Sequence, residues 1–276
     1  MPINTTTKES LFPSTTYVPV QQALPAALVI TTATQAGEVR GDAPYLKVPY
    51  VSQDVAAGFV AEGAVITEAG PALDELLVST AKIAVLTRMS HEAYSSKTAD
   101  QIVSVSLRRS LISKADAAYV ANPAGGPGPV GLVNTPGVVA GGTLAAGDSL
   151  DVVAEAVTAV EVNGGTPTHL ICDPASWGVI QTLKQATGSN LPLIGAPAET
   201  TERKLFGLPV MVSAAVPAGN LLVVDQAEVM AAVSPLAVAV SQDVYFDSDS
   251  VAIRATFRVG WGLPRPDRTA KITVTV

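Results

Sequence analysis

Apolar residues recur along this chain with two different periods, and each period predicts a different element. From Val251 to Trp261 every second residue is apolar (Val251, Ile253, Ala255, Phe257, Val259, Trp261), with Arg254, Thr256 and Arg258 between them. A period of two predicts a strand with one buried and one wetter face. Leu77 to Met89 reads the same way, with Leu77, Ala81, Ile83, Val85 and Met89 on one face and Thr80, Lys82 and Arg88 on the other. Ile272, Val274 and Val276 close the chain on that pattern. Between Thr98 and Ala121 the spacing changes to fours and threes through Val103, Leu107, Leu111, Ala115 and Ala118. This predicts an amphipathic helix on the order of 35 Å long. Asp100 in its first turn suits the helix dipole, and Asn122-Pro123 ends it.

The segments between are less regular. Residues 1–40 hold four charges (Lys8, Glu9, Glu38, Arg40), eight threonines and the spaced prolines Pro13, Pro19 and Pro25, which predicts an extended arm. Tyr17, Val18, Val20, Leu24 and Leu28 to Ile30 mark it as docked on protein rather than solvated. Residues 41–89 read as a two-stranded excursion: Tyr45 to Val51 goes out and Leu77 to Met89 returns. Its acidic turn region holds Glu62, Glu68, Asp74 and Glu75, with Gly70-Pro71 as a turn signal. Such a ribbon is marginal in water by itself and needs a partner.

Residues 123–147 hold 12 Gly or Pro among 25 and predict a mobile loop or hinge. From 148 to 232 helices and strands alternate. Asp148 or Ser149 caps a helix with Leu150, Val153, Val157 and Val160 on one face, ended by Asn163-Gly164-Gly165. Thr168 to Cys172 is a short buried strand. Asp173-Pro174 opens a helix that carries Trp177, Ile180 and Leu183 inward and stops at Gly188. Pro209 to Ser213 and Asn220 to Val224 are further strands, so the fold class is α+β.

Composition narrows the function. Of 276 residues, 48% are apolar but only 15% are charged, against roughly 25% in an ordinary soluble domain. Too few charges remain to coat an isolated globule, so part of the apolar surface is expected to be covered by other protein chains. The net charge of −7 argues against a protein that clamps duplex DNA through a basic stripe. A single cysteine, Cys172, excludes an intrachain disulfide framework. The uncharged runs 10–37 and 117–147 are broken by prolines and glycines, so neither predicts a membrane-spanning helix, and no membrane partner is expected.

Candidate chemistry is sparse. His91 and His169 are the only histidines. His169 and Cys172 stand three apart on a strand, which places them on opposite faces and makes a Cys–His pair impossible there. Two histidines and one cysteine in these contexts make no four-ligand zinc site. Gly125-Gly126-Pro127-Gly128-Pro129 lacks the N–H groups and the following Lys-Ser or Lys-Thr of a phosphate-cradling loop. No catalytic, cofactor-binding or metal residue is predicted. Opposite charge on elements that cannot be stable alone makes Glu62 and Glu68 candidates to meet Arg254 or Arg258 of a neighbouring copy. Lys82 and Arg88 join them as candidate inter-subunit contacts.

The order of motifs resembles the major capsid proteins of tailed bacteriophages, the Hong Kong 97-type fold. The matching pieces are Ala61-Glu62-Gly63, Lys82-Ile83-Ala84, Met89-Ser90 before the long helix, and Gly128-Pro129-Val130-Gly131-Leu132. Cys172-Asp173-Pro174 leading into Trp177 follows, then Leu205-Phe206-Gly207-Leu208-Pro209-Val210 and Ala252-Ile253-Arg254-Ala255-Thr256-Phe257-Arg258-Val259-Gly260.

The resemblance implies an N-terminal arm (1–40) and an extended β-ribbon loop (41–89). A peripheral domain with its spine helix and Gly/Pro-rich connection follows (90–146), then an axial domain (147–232) and C-terminal strands completing the peripheral domain (233–276). It implies pentamers and hexamers closing an icosahedral shell around double-stranded DNA, a virion location, and assembly in the host cytoplasm. Portal and decoration proteins are implied partners. Because the arm starts almost at Met1, a separate scaffolding protein, or none, is expected, and proteolytic maturation is not. An encapsulin-type shell around enzyme cargo and a hydrolase on an α+β fold are the alternatives.

Overall fold

The computed structural model describes residues 16–18, 24, 26–39, 44–55, 57–60, 62–63, 65, 68–94, 97–186, 189, 191–194 and 203–275. The first fifteen residues of the predicted arm, Val20, Arg40, Ala61, Ala64, Gly188 and Val276 lie outside the described residues.

Strand β1 (Thr16–Val18), the single turn α1 (Leu28–Thr31) and β2 (Thr34–Glu38) come first. β3 (Tyr45–Gln53) and β4 (Ala72–Ser90) form the excursion, followed by the turn α2 (His91–Tyr94) and the long helix α3 (Lys97–Ala121). Next come β5 (Val139–Leu144), helix α4 (Asp151–Val162), β6 (His169–Cys172) and helix α5 (Pro174–Thr182). The remaining strands are β7 (Lys204–Leu205), β8 (Leu208–Val212), β9 (Asn220–Val224), β10 (Met230–Val233), β11 (Leu236–Tyr245), β12 (Ser250–Gly262) and β13 (Thr269–Val274).

These strands make two sheets. In the seven-stranded one, β12 is the backbone: β4 pairs along one edge of it from Ser90 to Thr80, and β11 and then β10 pair along its other edge. Its predicted alternation holds, with Val251, Ile253, Ala255, Phe257, Val259 and Trp261 all buried. Ala255, Phe257, Val259 and Trp261 meet Leu111, Ala115, Tyr119 and Val120 of α3 in one core. Each large side chain fully buried there contributes roughly 1.5–3 kcal/mol. Trp261 also donates from Nε1 to the Val130 carbonyl at 2.6 Å and stands edge-on to Tyr119, ring centres 5.4 Å apart. The six-stranded sheet runs β5-β13-β9-β6-β8-β7. One of its faces (Leu170, Cys172, Leu221, Val223, Ile272) packs with Val153, Ala156 and Val160 of α4 and Trp177 and Ile180 of α5. Its other face sends Ile171, Leu222 and Val224 into the α3 core, so the two sheets share a wall.

Several expectations need correction. The arm is not extended throughout: Leu24, Ala27, Leu28, Val29 and Ala33 are buried in the chain's own core, and β2 pairs parallel with β10. The apolar residues that marked the arm as docked fill the space beside α3. Residues 123–147 are not one mobile loop, since Leu132 and Leu144 are fully buried and β5 pairs with β13. Its glycines permit close packing: a Cβ at Gly141 would stand 2.8 Å from Ala156 Cβ and 2.9 Å from Ile272. Strand β13 lies between β5 and β9 in the six-stranded sheet, where Ala270, Ile272 and Val274 supply the apolar face under α4. Helix α5 ends at Thr182, with Leu183 already non-helical. Leu77 lies on the same side of β4 as Ala81 and Ile83 but is 53% exposed, whereas Val78 on the other side is buried with Val39 and Ala232, so the covered side of β4 switches between 78 and 81. That switch sits where Thr80 pairs with Gly260, and a Cβ at Gly260 would overlap the Ser79 carbonyl.

Candidate functional site

The sheet's outer face carries most of the predicted charged set. Residues paired across antiparallel strands share a face, and Lys82 pairs with Arg258, Leu86 with Arg254, and Arg88 with Ala252. Lys82, Arg88 and Arg254 are exposed and Arg258 is half-buried. The Arg88 guanidinium lies 4.7 Å from the centre of the Tyr245 ring, a cation–π contact that holds it over the sheet. Four cations therefore stand on one surface around the exposed Leu86, which is 62% accessible. The structure brings these four together.

It does not bring Glu62 and Glu68 to them along the chain's own strands. Both glutamates are exposed in the 54–71 connection beyond the ribbon, beside Phe59 and Val65, which no part of the chain covers appreciably. β3 and β4 carry that connection outward in register from Tyr45↔Ser79 to Gln53↔Ala72. The outward strands are tied by Lys47 to Glu75 at 2.8 Å and by Tyr50 donating to Asp74 at 3.3 Å, both exposed. Near the outer end of the paired strands Arg265 donates to the Val51 carbonyl (2.7 Å) and to Glu228 (2.8 Å), and Arg268 donates to the same Glu228 oxygen at 2.6 Å. This half-buried knot ties the outer part of β3 to the body of the subunit. Sequence reasoning missed it, since its members lie far apart in the chain.

Residues with chemical potential serve packing. Cys172 is fully buried, and burial together with Asp173 pushes its thiol up to about 12, so no thiolate forms near neutrality. His169 is half-buried, held neutral by desolvation, with Nδ1 3.0 Å from Thr168 Oγ1. Burial pushes the Asp173 carboxyl up, but bonds from Ser176, Ala175 and Gly219 outweigh it and hold it below its usual value, as an N-cap of α5. Asp116, on α3, is another residue the sequence reading passed over. It is buried, accepts from Leu28 N at 2.7 Å, and sits 3.5 Å from Ser213 Oγ. Its place directly after Ala115 of the apolar stripe was the available signal. Among the described residues no group of three or more His, Cys, Asp or Glu could hold a metal ion, and no helix is long and apolar enough to cross a membrane.

The sequence model of the phage capsid family matches residues 13–274, nearly the whole chain. The chain belongs to the phage capsid family. It is a structural capsid protein and not an enzyme, so the hydrolase alternative falls. Capsid proteins of this family assemble with copies of themselves into shells, and the place of this one is the virion. The fold agrees. The capsid of the empty GTA particle superposes with a TM-score of 0.70 at 19% identity, over 91% of this chain and 90% of that one. A chain of Gordonia phage Cozz gives 0.71 at 18% identity over 91% and 87%, and one of Mycobacterium phage Bobi 0.69 at 17% over the full length of both. No curated protein matches the capsid chain by sequence.

Proposed function

We propose that this capsid protein closes into pentamers and hexamers that build an icosahedral shell around double-stranded DNA. The seven-stranded sheet with α3 serves as the peripheral domain and the ribbon as the extended loop. The six-stranded sheet with α4 and α5 serves as the axial domain, drawn from residues 139–224 together with 269–274. A separate scaffolding protein, a portal and decoration proteins are the further partners, and assembly takes place in the host cytoplasm. A net charge of −7 suits a wall that must not bind the genome tightly as it enters.

One observation carries the reading of the contacts. The ribbon projects the exposed acids Glu62 and Glu68, with Phe59 and Val65, while the outer sheet face presents Lys82, Arg88, Arg254 and Arg258 around Leu86. Acidic, apolar-tipped loop and basic, apolar-centred face are complementary between copies, with rim pairs adding about 0–1 kcal/mol each. Charge reversal tests it. Glu62→Lys with Glu68→Lys lowers the yield of shells, and Arg254→Glu with Arg258→Glu in the same chain restores part of it. Undiminished yield from the double glutamate reversal contradicts these contacts.

A further inference from the structure

The link between β7 and β8 is a two-residue turn in which both central residues have positive φ: Phe206 at 50° and Gly207 at 80°. Turns of this kind favour Asn-Gly or Gly-Gly, because a side chain with a Cβ, and a bulky one above all, is strained there. Phe206 carries that strain and gains little burial in return, being 53% exposed. It is flanked by the exposed cations Arg203 and Lys204.

The opposite edge of the same sheet offers what this turn lacks. In the order β5-β13-β9-β6-β8-β7, the turn belongs to the β7 edge, while α4 packs over β5 and β13 at the other. The outer side of α4 forms a shallow groove of about 550 Å³, floored by Ala154 and Ala159 with Val162 at one end and Asp151 and Glu155 along it. Val162 is 79% exposed. The ends also correspond. Six residues separate the end of α4 from β6, and β8 runs parallel to β6, so Val162 and the turn that precedes β8 lie toward the same end of the sheet.

We propose that Phe206 of one copy seats on the α4 groove of the next, against Val162 and Ala159, with Arg203 and Lys204 facing Asp151 and Glu155. A knob on one edge and its seat on the other make a head-to-tail contact, which closes rings rather than two-fold pairs. The inference rests on the ring-forming reading above and adds to it the residues that join one axial sheet to the next. The strain at Phe206 is offset only on assembly, so the turn is selected for the shell and not for the monomer.

The test is a cysteine pair in the full chain. Phe206→Cys with Val162→Cys, oxidised after assembly, forms intersubunit disulfides and gives denaturing-gel ladders ending at five and six chains. Each single variant gives none, because Cys172 is buried. A companion variant separates contact from folding. Phe206→Asn suits the turn and leaves the melting temperature of the subunit unchanged or higher, yet raises the concentration needed for assembly at least about ten-fold. Assembled particles whose cysteine pair stays unlinked, or Phe206→Asn assembling like the parent, overturn this contact alone. A parent chain that forms no rings or shells overturns the ring reading together with it.

Discussion

Asp116 stands where α1, α3 and the Ser213 turn meet, and its carboxyl holds the start of α1 through Leu28 N. Burial is the main influence on it and raises it from the usual carboxylate range to about 6, against the lowering effect of those two bonds. No cation is among the groups that shift it; Tyr119, one turn along the same helix, is the titratable neighbour it acts on. The folded chain therefore keeps a proton that the unfolded chain has already lost. Stability falls as pH rises from about 4 to about 6 and then levels off, the reverse of an ordinary ion-paired aspartate. Melting temperatures measured between pH 4 and pH 7.5 follow that slope, and Asp116→Asn flattens it. An unchanged slope in the variant contradicts the assignment of this proton to Asp116.

Strand β4 does two jobs along its 19 residues: ribbon from Ala72 to Ser79, and sheet member from Thr80 to Ser90. The switch of covered side between them falls at the close backbone approach of Gly260 to Ser79. Gly260→Ala forces β4 and β12 apart at that crossing and is expected to cost about 2–3 kcal/mol, of the order seen for overpacking a tight interior. Chemical denaturation of the variant measures it. Gly262→Ala, where the nearest atoms are the flexible Leu76 side chain at 3.2 Å, is the milder control. A loss at Gly260 no larger than at Gly262 contradicts the hinge role. The elements with a strong period were legible in the sequence: β12, the return limb of β4 from Ala81 onward, and α3, whose predicted start at Thr98 is one residue from the observed Lys97. Elements that depend on distant partners were not. β5 is glycine-rich and becomes a strand only because β13 lies beside it, and the 28–39 segment gains its order from α3 and β10. Of the candidate contacts, the four cations on alternating strands could be placed on one face by parity alone, whereas the Phe206 turn gives no periodic signal.

At the scale of the whole molecule, the folding of Leu24 and residues 26–39 onto their own subunit removes part of the apolar surplus that the composition implied. Much of what remains uncovered lies on the ribbon and the sheet, with Phe59, Val65, Leu73 and Leu77 on the first and Leu86 on the second; Ile102 and Val105 of α3, Val162 of α4 and Phe206 add to it. A ribbon so built cannot hide these side chains against itself, since its two strands have no third layer. On the proposed reading copies of the same chain cover them, and the claim that self-association completes this fold is the one everything else depends on. Negative-stain microscopy of the purified full-length protein, across a concentration series, tests it most directly. The account predicts rings and closed shells tens of nanometres across, and a population of single 28.2 kDa particles persisting at the highest concentration would contradict it.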